Sequence, residues 1–440
     1  MIPLLHLNSP AERQRVERLL DELRLSPASA VLEDGARAEQ VKTVRQIMAD
    51  VALRGDAALV DSARKFDDPE FSAAQLRVKP QEMAAAAKKL PKEQLEALRR
   101  SIRQVREYQT HMMPAPTAAL HRPGVELGMR WTPLDSVGLL VPGGKASYPS
   151  SVIMLAVPAQ VAGVKRIAVC SPAGKFGQSD IVLATYHELG LTEVFRAGGA
   201  AAVAALAIGT PTIERVDKLL GPGNVYVQLA KQLVSASVGI DGFLGPSEIL
   251  TLADDSARPD FVAADLLAQA EHDPGSCFLL TDSEKFAAAV IDQIGKQIGK
   301  LKRKAAIEKA LDTHSAIIVG SSMDELIELA NRFAVEHVSL QTRDNGAVLA
   351  KLKHAGAIFV GPYSPVAAGE YIAGPSHCLP TNTTARFASG VSVYEFLKRS
   401  SVERYDAAGL KSDAAAIIAL ADAEHLDGHA TSVRIRSSAS

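Results

Sequence analysis

Between residues 137 and 360, short apolar runs alternate with longer amphipathic stretches, and this alternation restricts the possible folds more than any other feature of the chain. Runs rich in Val, Ile and Leu predict strands at 137–141, 166–170, 193–196, 248–253, 277–281, 316–319, 337–341 and 357–360. The intervening spacing predicts helices at 150–162, 179–189, 200–208, 225–235, 283–298, 305–314, 323–334 and 345–354. Strands separated by helices of about ten residues return parallel to one another, which predicts an α/β fold of parallel sheets with helices on both faces. A chain of 440 residues with 47% hydrophobic content is long enough to bury more than one such core.

The flanking segments read differently. Ser9-Pro10-Ala11-Glu12 has the form of a capping box with proline at the first helical position, opening a helix to about residue 23. Further helices are expected at 36–54 and 81–110, their acid–base mixture reading as solvated faces. Pro114, Pro116, Pro123, Pro133, Gly124 and Gly128 mark 111–133 as a crossover between domains. Residues 361–384 read as irregular, and the tail from 391 as helical and charged.

Composition excludes several classes of function. Net charge is −2 with no basic stripe, which argues against nucleic acid or an anionic membrane as partner. Three cysteines, Cys170, Cys277 and Cys378, are too few and scattered for a disulfide frame or thiolate metal knot, and suit a reducing cytoplasm. The start of the chain lacks a signal-peptide pattern, and the longest apolar run, 197–209, is too short to span a bilayer.

Candidate chemistry is spread along the chain. A helix expected after Asp255-Ser256, with Pro259 in its first turn, buries Phe261, Val262, Leu266, Leu267 and Ala270. Gln269 and His272, three apart, then share one side at its end. They read either as metal ligands or as a hydrogen-bonded polar pair. Glu336-His337 opens a strand, so the two side chains act together only where the backbone bends. Glu370 and His377 lie among rigid Gly and Pro turns, and Glu424 and His429 near the last helix. Together Gln269, His272, Glu370 and His429 supply the donors of a zinc-type site. The turns after Val141, Leu220 and Val360 fall at carboxyl ends of strands, where parallel sheets bind ligands. The Gly143-Gly144 turn lacks the full glycine pattern of a dinucleotide loop.

Seven motifs stand along the chain: VPGGKASYPSS (141–151), VDKLLGPGN (216–224), GPSEIL (245–250), DLLAQAEHD (265–273), EHVSL (336–340), AGEYIAGPSHCLPT (368–381) and GHA (428–430). In this order and spacing the chain resembles the histidinol dehydrogenase family from about residue 36 to 436. The resemblance implies two Rossmann-like parallel-sheet domains, N-terminal helices and a helical C-terminal tail. The domains would be 36–139 with 248–391 (substrate and zinc) and 140–247 (NAD), flanked by a helical segment 1–35 and a dimerisation tail 392–440.

It also implies a homodimer with shared active sites, one zinc per subunit, and NAD-dependent oxidation of L-histidinol through the aldehyde to L-histidine. Zinc would be held by Gln269, His272, Glu370 and His429. His337 would be the base and Glu336 would activate water. Ser247, His377 and Glu424 would join the zinc ligands and His337 in binding substrate, and Asn224 would bind NAD. The chain departs from the family in having Glu370 for an aspartate, Leu140 for a tyrosine, Ala201 for a glutamine and Ile208 for a tyrosine. Leu140 and Ala201 stand at cofactor-contact positions without side-chain hydrogen bonds to offer. Two rivals therefore stay open: a paralogue oxidising another small polar alcohol, and a relative that binds metal or ligand without turnover.

Overall fold

The structure, a computed structural model, describes residues 2–24, 35–144, 146–272 and 274–438. Two parallel sheets carry the fold. A six-stranded sheet runs in the order Leu4–His6, Ala316–Val319, Gly275–Thr281, Ser247–Ala253, His337–Gln341, Ala357–Val360. A five-stranded sheet runs Glu193–Arg196, Arg166–Ser171, Ser136–Leu140, Lys218–Leu220, Gly239–Ile240.

Period-two alternation in the strands decides which helices cover which face. In the five-stranded sheet, Val137, Leu139, Val169 and Val194 pack against helices Pro149–Ala162 and Asp180–Glu188. Their neighbours Leu140, Ala168, Cys170 and Phe195 face the alanine-rich helix Gly199–Ile208 and the helices behind it. In the six-stranded sheet, Leu250, Leu252, Phe278 and Leu280 face helices Pro10–Leu23 and Met323–Phe333. Ile249, Cys277, Leu279 and Ile317 face helices Pro259–Ala270, Glu284–Ile298 and Lys304–Thr313. The expected α/β architecture, with helices on both faces, is therefore present.

Several local expectations fail for identifiable reasons. The expected helix 81–110 is two helices, Pro80–Lys89 and Lys92–His111, because Pro91 cannot continue the ladder and leaves Leu90 extended. A helix Asp56–Phe66 follows 35–54 after Gly55, whose φ of 56° turns the chain sharply. The proline-rich 111–133 stretch and the start of the helical-looking tail pair instead. Strands Leu120–Arg122, Val125–Pro133 and Leu397–Tyr405 form an antiparallel sheet, with Pro133 at a strand end where it breaks no interior ladder. Helices Ala407–Ala423 and Asp427–Ser438 come only after it.

Residues 361–384 contain the helix Val366–Tyr371. The N-terminal segment is not purely helical, since Leu4–His6 adds an edge strand. Glu12 bonds the His6 backbone N–H at 2.5 Å rather than closing a capping box. Arg258, with no side-chain cap, precedes the helix Pro259–Ala270 in place of Asp255-Ser256, and Ser256 turns back onto Asp254 instead. Residues 25–34, Lys145 and Asp273, which fall in the predicted segments and motifs, lie outside the described residues.

Candidate active site

Seven polar side chains meet at the amino edge of the six-stranded sheet. Ser247 and Glu248 open one strand, and His337 opens its neighbour with Glu336 just before it. The helix Pro259–Ala270 runs back along the sheet, so its last turn returns Gln269, and His272 beyond it, to that same edge. Val366–Tyr371 then delivers Glu370, with Gly369 seated against the Phe359 ring where a Cβ would come within 2.7 Å. Here the carboxyl-end rule fails for this sheet. Ser151, which follows the carboxyl end of strand Ser136–Leu140, contacts His377 at 3.2 Å. The cluster thus lies where the amino edge of one sheet faces the carboxyl edge of the other.

A continuous run of hydrogen bonds and ion pairs joins most of these groups. The Gln269 amide nitrogen donates to the Ser247 hydroxyl, which donates to Glu336 Oε2 at 2.6 Å. Glu336 Oε2 lies 3.3 Å from His337 Nδ1, while His337 Nε2 lies 3.2 Å from Glu370 Oε1. Glu370 Oε2 meets His377 Nδ1 at 3.0 Å. Neighbouring strand residues normally point to opposite faces, so the Glu336–His337 contact needs a bend. It is there: Ala334 adopts φ 45°, and the strand begins only at His337. Gly356 lets the next strand approach, since a Cβ would stand 2.6 Å from the Glu336 carbonyl.

Burial makes these contacts strong. His337 is 1% exposed and Glu336 7%. Burial opposes charge on His337, but the Glu336 charge and hydrogen bonds to Glu336 and Glu370 outweigh it and lift the ring to about 10. Burial would likewise raise Glu370, yet the charged His377 and the hydrogen bonds from both imidazoles hold it well below the usual carboxylate range. His377 is raised in turn, mainly by the Glu370 charge working against burial. His272 goes the other way: burial lowers it, against the pull of Glu370 and Glu336. Its imidazole makes no hydrogen bond among the described residues.

The remaining candidates lie elsewhere. Asn224 caps the helix Val225–Val234, its Oδ1 accepting from the N–H groups of Tyr226 and Val227 at 3.0 and 3.2 Å. Leu140 and Ala201 are buried in the core between sheet and helix, while Ile208 is half exposed. Glu424 and His429 sit exposed in the C-terminal helical hairpin, and neither bonds the cluster within this chain. Among the described residues, no three His, Cys, Asp or Glu side chains of one chain are placed to hold a metal ion.

Sequence reading missed two supports. Glu248 was visible in GPSEIL but read only as a strand start, although it is 1% exposed and bonded on both oxygens. The buried Lys231–Asp241 pair pins the Gly221 turn, Asp241 Oδ2 accepting from the Gly221 N–H at 2.6 Å. Lys231 lies on an amphipathic helix where a solvated charge is the usual reading.

The sequence profile of the histidinol dehydrogenase family matches residues 33–437, nearly the whole chain. The chain belongs to the histidinol dehydrogenase family. Histidinol dehydrogenase of a Synechococcus strain is 45% identical over 421 residues, covering 94% of this chain and 97% of that one. The Gluconobacter oxydans histidinol dehydrogenase is 46% identical over 394 residues, covering 89% and 92%. The crystal structure of histidinol dehydrogenase from Elizabethkingia anophelis matches with TM-score 0.91 and 32% identity, over 100% of this chain and 98% of that one. Among the described residues, no helix of this family member is long and apolar enough to cross a membrane.

Proposed function

We propose that this protein oxidises L-histidinol to L-histidine with NAD, in a homodimer whose tails complete each other's sites. The observation that carries the reading is the buried Glu336–His337 pair, bent onto one side and joined to Ser247, Gln269, Glu370 and His377. Family membership supplies the substrate class.

The donors present suit a zinc-type ion. His272 is a half-buried imidazole whose pKa is lowered by desolvation, which favours the neutral ring. Glu370 stays ionised. Gln269 spends its nitrogen on Ser247, and its oxygen makes no hydrogen bond among the described residues. These three would hold the metal, with His429 of a second copy as the fourth ligand. Bound there, zinc would orient the imidazole and amine of the substrate, and NAD would accept hydride from the carbinol carbon.

The chain's own groups account for the proton transfers. Glu370 and Glu336 keep the His337 ring charged in the ion-paired state. His337 takes the hydroxyl proton at Nε2 once Glu370 is engaged elsewhere, as metal ligation by Glu370 would engage it. Glu336, held by Ser247 and the Glu248 N–H, would take a proton from the water that attacks the aldehyde carbon. Overall R–CH2OH and H2O give R–COO⁻, two hydrides and three protons. His377, held between Ser151 and Glu370, would bind substrate beside them.

The test is the initial rate of NADH formation with L-histidinol against a panel of other amino and polar alcohols. L-histidinol is expected to give the highest kcat/KM. Another alcohol turned over while L-histidinol is not would favour the paralogue, and undetectable NAD binding at millimolar cofactor would favour the non-catalytic relative.

A further inference from the structure

We infer that Glu248 is a positioning residue, whose buried carboxylate fixes the backbone of Glu336 and of the loop bearing His377; this rests on the proposed oxidation. Glu248 and Glu336 stand side by side on adjacent strands and exchange bonds. The Glu336 N–H donates to Glu248 Oε2 at 3.3 Å, and the Glu248 N–H donates to Glu336 Oε2 at 3.0 Å. The other Glu248 oxygen, Oε1, accepts from the Asn382 N–H at 2.8 Å. Asn382 and Thr383 both occupy the left-handed region, with φ of 56° and 63°, so this loop needs an outside anchor to hold its shape. One carboxylate thereby ties two strands and the segment that carries His377.

His337 is held differently. Its Nδ1 bonds the Glu248 backbone carbonyl at 2.9 Å, a contact that no side-chain substitution at 248 removes. The two members of the reactive pair therefore depend on different atoms of the same residue. The side chain fixes the backbone of Glu336, the proposed water activator, while the Glu248 backbone bonds the Glu336 carboxylate and the ring of His337, the proposed base. Changing the side chain should injure the second oxidation and spare the first.

Glu248→Gln keeps size and shape but leaves one oxygen for two N–H donors, so one N–H faces an amide NH2. Oxidation of L-histidinal and of L-histidinol would be measured separately in single-turnover experiments on the zinc-loaded enzyme. The aldehyde step is expected to slow by about 10-fold or more, and the alcohol step by no more than about 3-fold, as for a displaced catalytic group. Equal slowing of both steps, or no change in either, would overturn the assignment and leave Glu248 a structural residue. Should Glu248→Gln not fold, Glu248→Asp, which keeps the two acceptor oxygens one methylene short of both donors, is measured with the same two outcomes. Wild-type protein inactive on both substrates would instead refute the proposed function.

Discussion

Replacing His337 with Asn separates chemistry from folding at this site. The ring makes three polar contacts: Nδ1 with the Glu248 carbonyl at 2.9 Å and with Glu336 Oε2 at 3.3 Å, and Nε2 with Glu370 Oε1 at 3.2 Å. An Asn amide reaches the Glu248 carbonyl and keeps that bond, while both carboxylate contacts are lost. Glu370 still has His377 at 3.0 Å, and Glu336 still accepts from the Ser247 hydroxyl and the Glu248 N–H, so no carboxylate is left buried alone. The charge-assisted contact to Glu370 accounts for about 1.5–3 kcal/mol of the loss, and the longer one to Glu336 for less. Set against a typical stability of about 5–15 kcal/mol, that leaves the protein folded. Loss of a general base costs about 100- to 10,000-fold in rate. His337→Asn is therefore expected to keep normal zinc by elemental analysis and to melt within a few degrees of wild type. NADH production from L-histidinol should fall by at least about 100-fold. Turnover within about tenfold of wild type, with zinc present, would refute the base assignment.

Three other substitutions probe separate parts of the account. Glu370 spans two imidazoles, which Asp, shorter by about 1.5 Å, cannot reach together; Glu370→Asp should retain zinc but turn over more slowly, and loss of zinc would mean the site is built around the longer arm. Asp265 is pushed up to about 6 by burial, so the folded state holds its proton after the unfolded chain has released it. Its contribution is intact below about pH 4 and declines until about pH 6, by about 1–2 kcal/mol after allowing for partial exposure. Asp265→Asn should remove that slope from melting measured across pH 4–7, and an unchanged slope would refute it. If tails complete the partner's site, refolding inactive His337→Asn and His429→Ala chains together should restore about a quarter of wild-type activity, since half of the dimers would be mixed with one intact site each. No recovery would mean that the tail serves its own chain.

The parallel sheets were legible because each strand is a run of Val, Ile and Leu whose two faces both need covering. What escaped had weaker local signals. Strand Leu397–Tyr405 carries charge on both faces and is held by pairing with Val125–Pro133, a partner more than 260 residues away. Leu4–His6 and Gly239–Ile240 are too short to show any period. Within the site, Gln269 and His272 announced themselves by helical spacing, and the structure brings them to the edge shared by Glu336, His337 and Glu370. The side of the sheet on which they meet was not legible, because it depends on the helix running back from the carboxyl to the amino edge. Nor was Glu248, whose role comes from the register that sets it beside Glu336. His429 and Glu424 remain apart within one chain, which is why the second copy enters the proposal.

The central claim is that one set of side chains performs two successive oxidations at one carbon. Limiting L-histidinol would be run to completion with excess NAD, counting NADH by absorbance and identifying the product by mass. The expected result is two NADH per L-histidinol, with L-histidine as product. One NADH, with the aldehyde released and no histidine formed, would contradict the account.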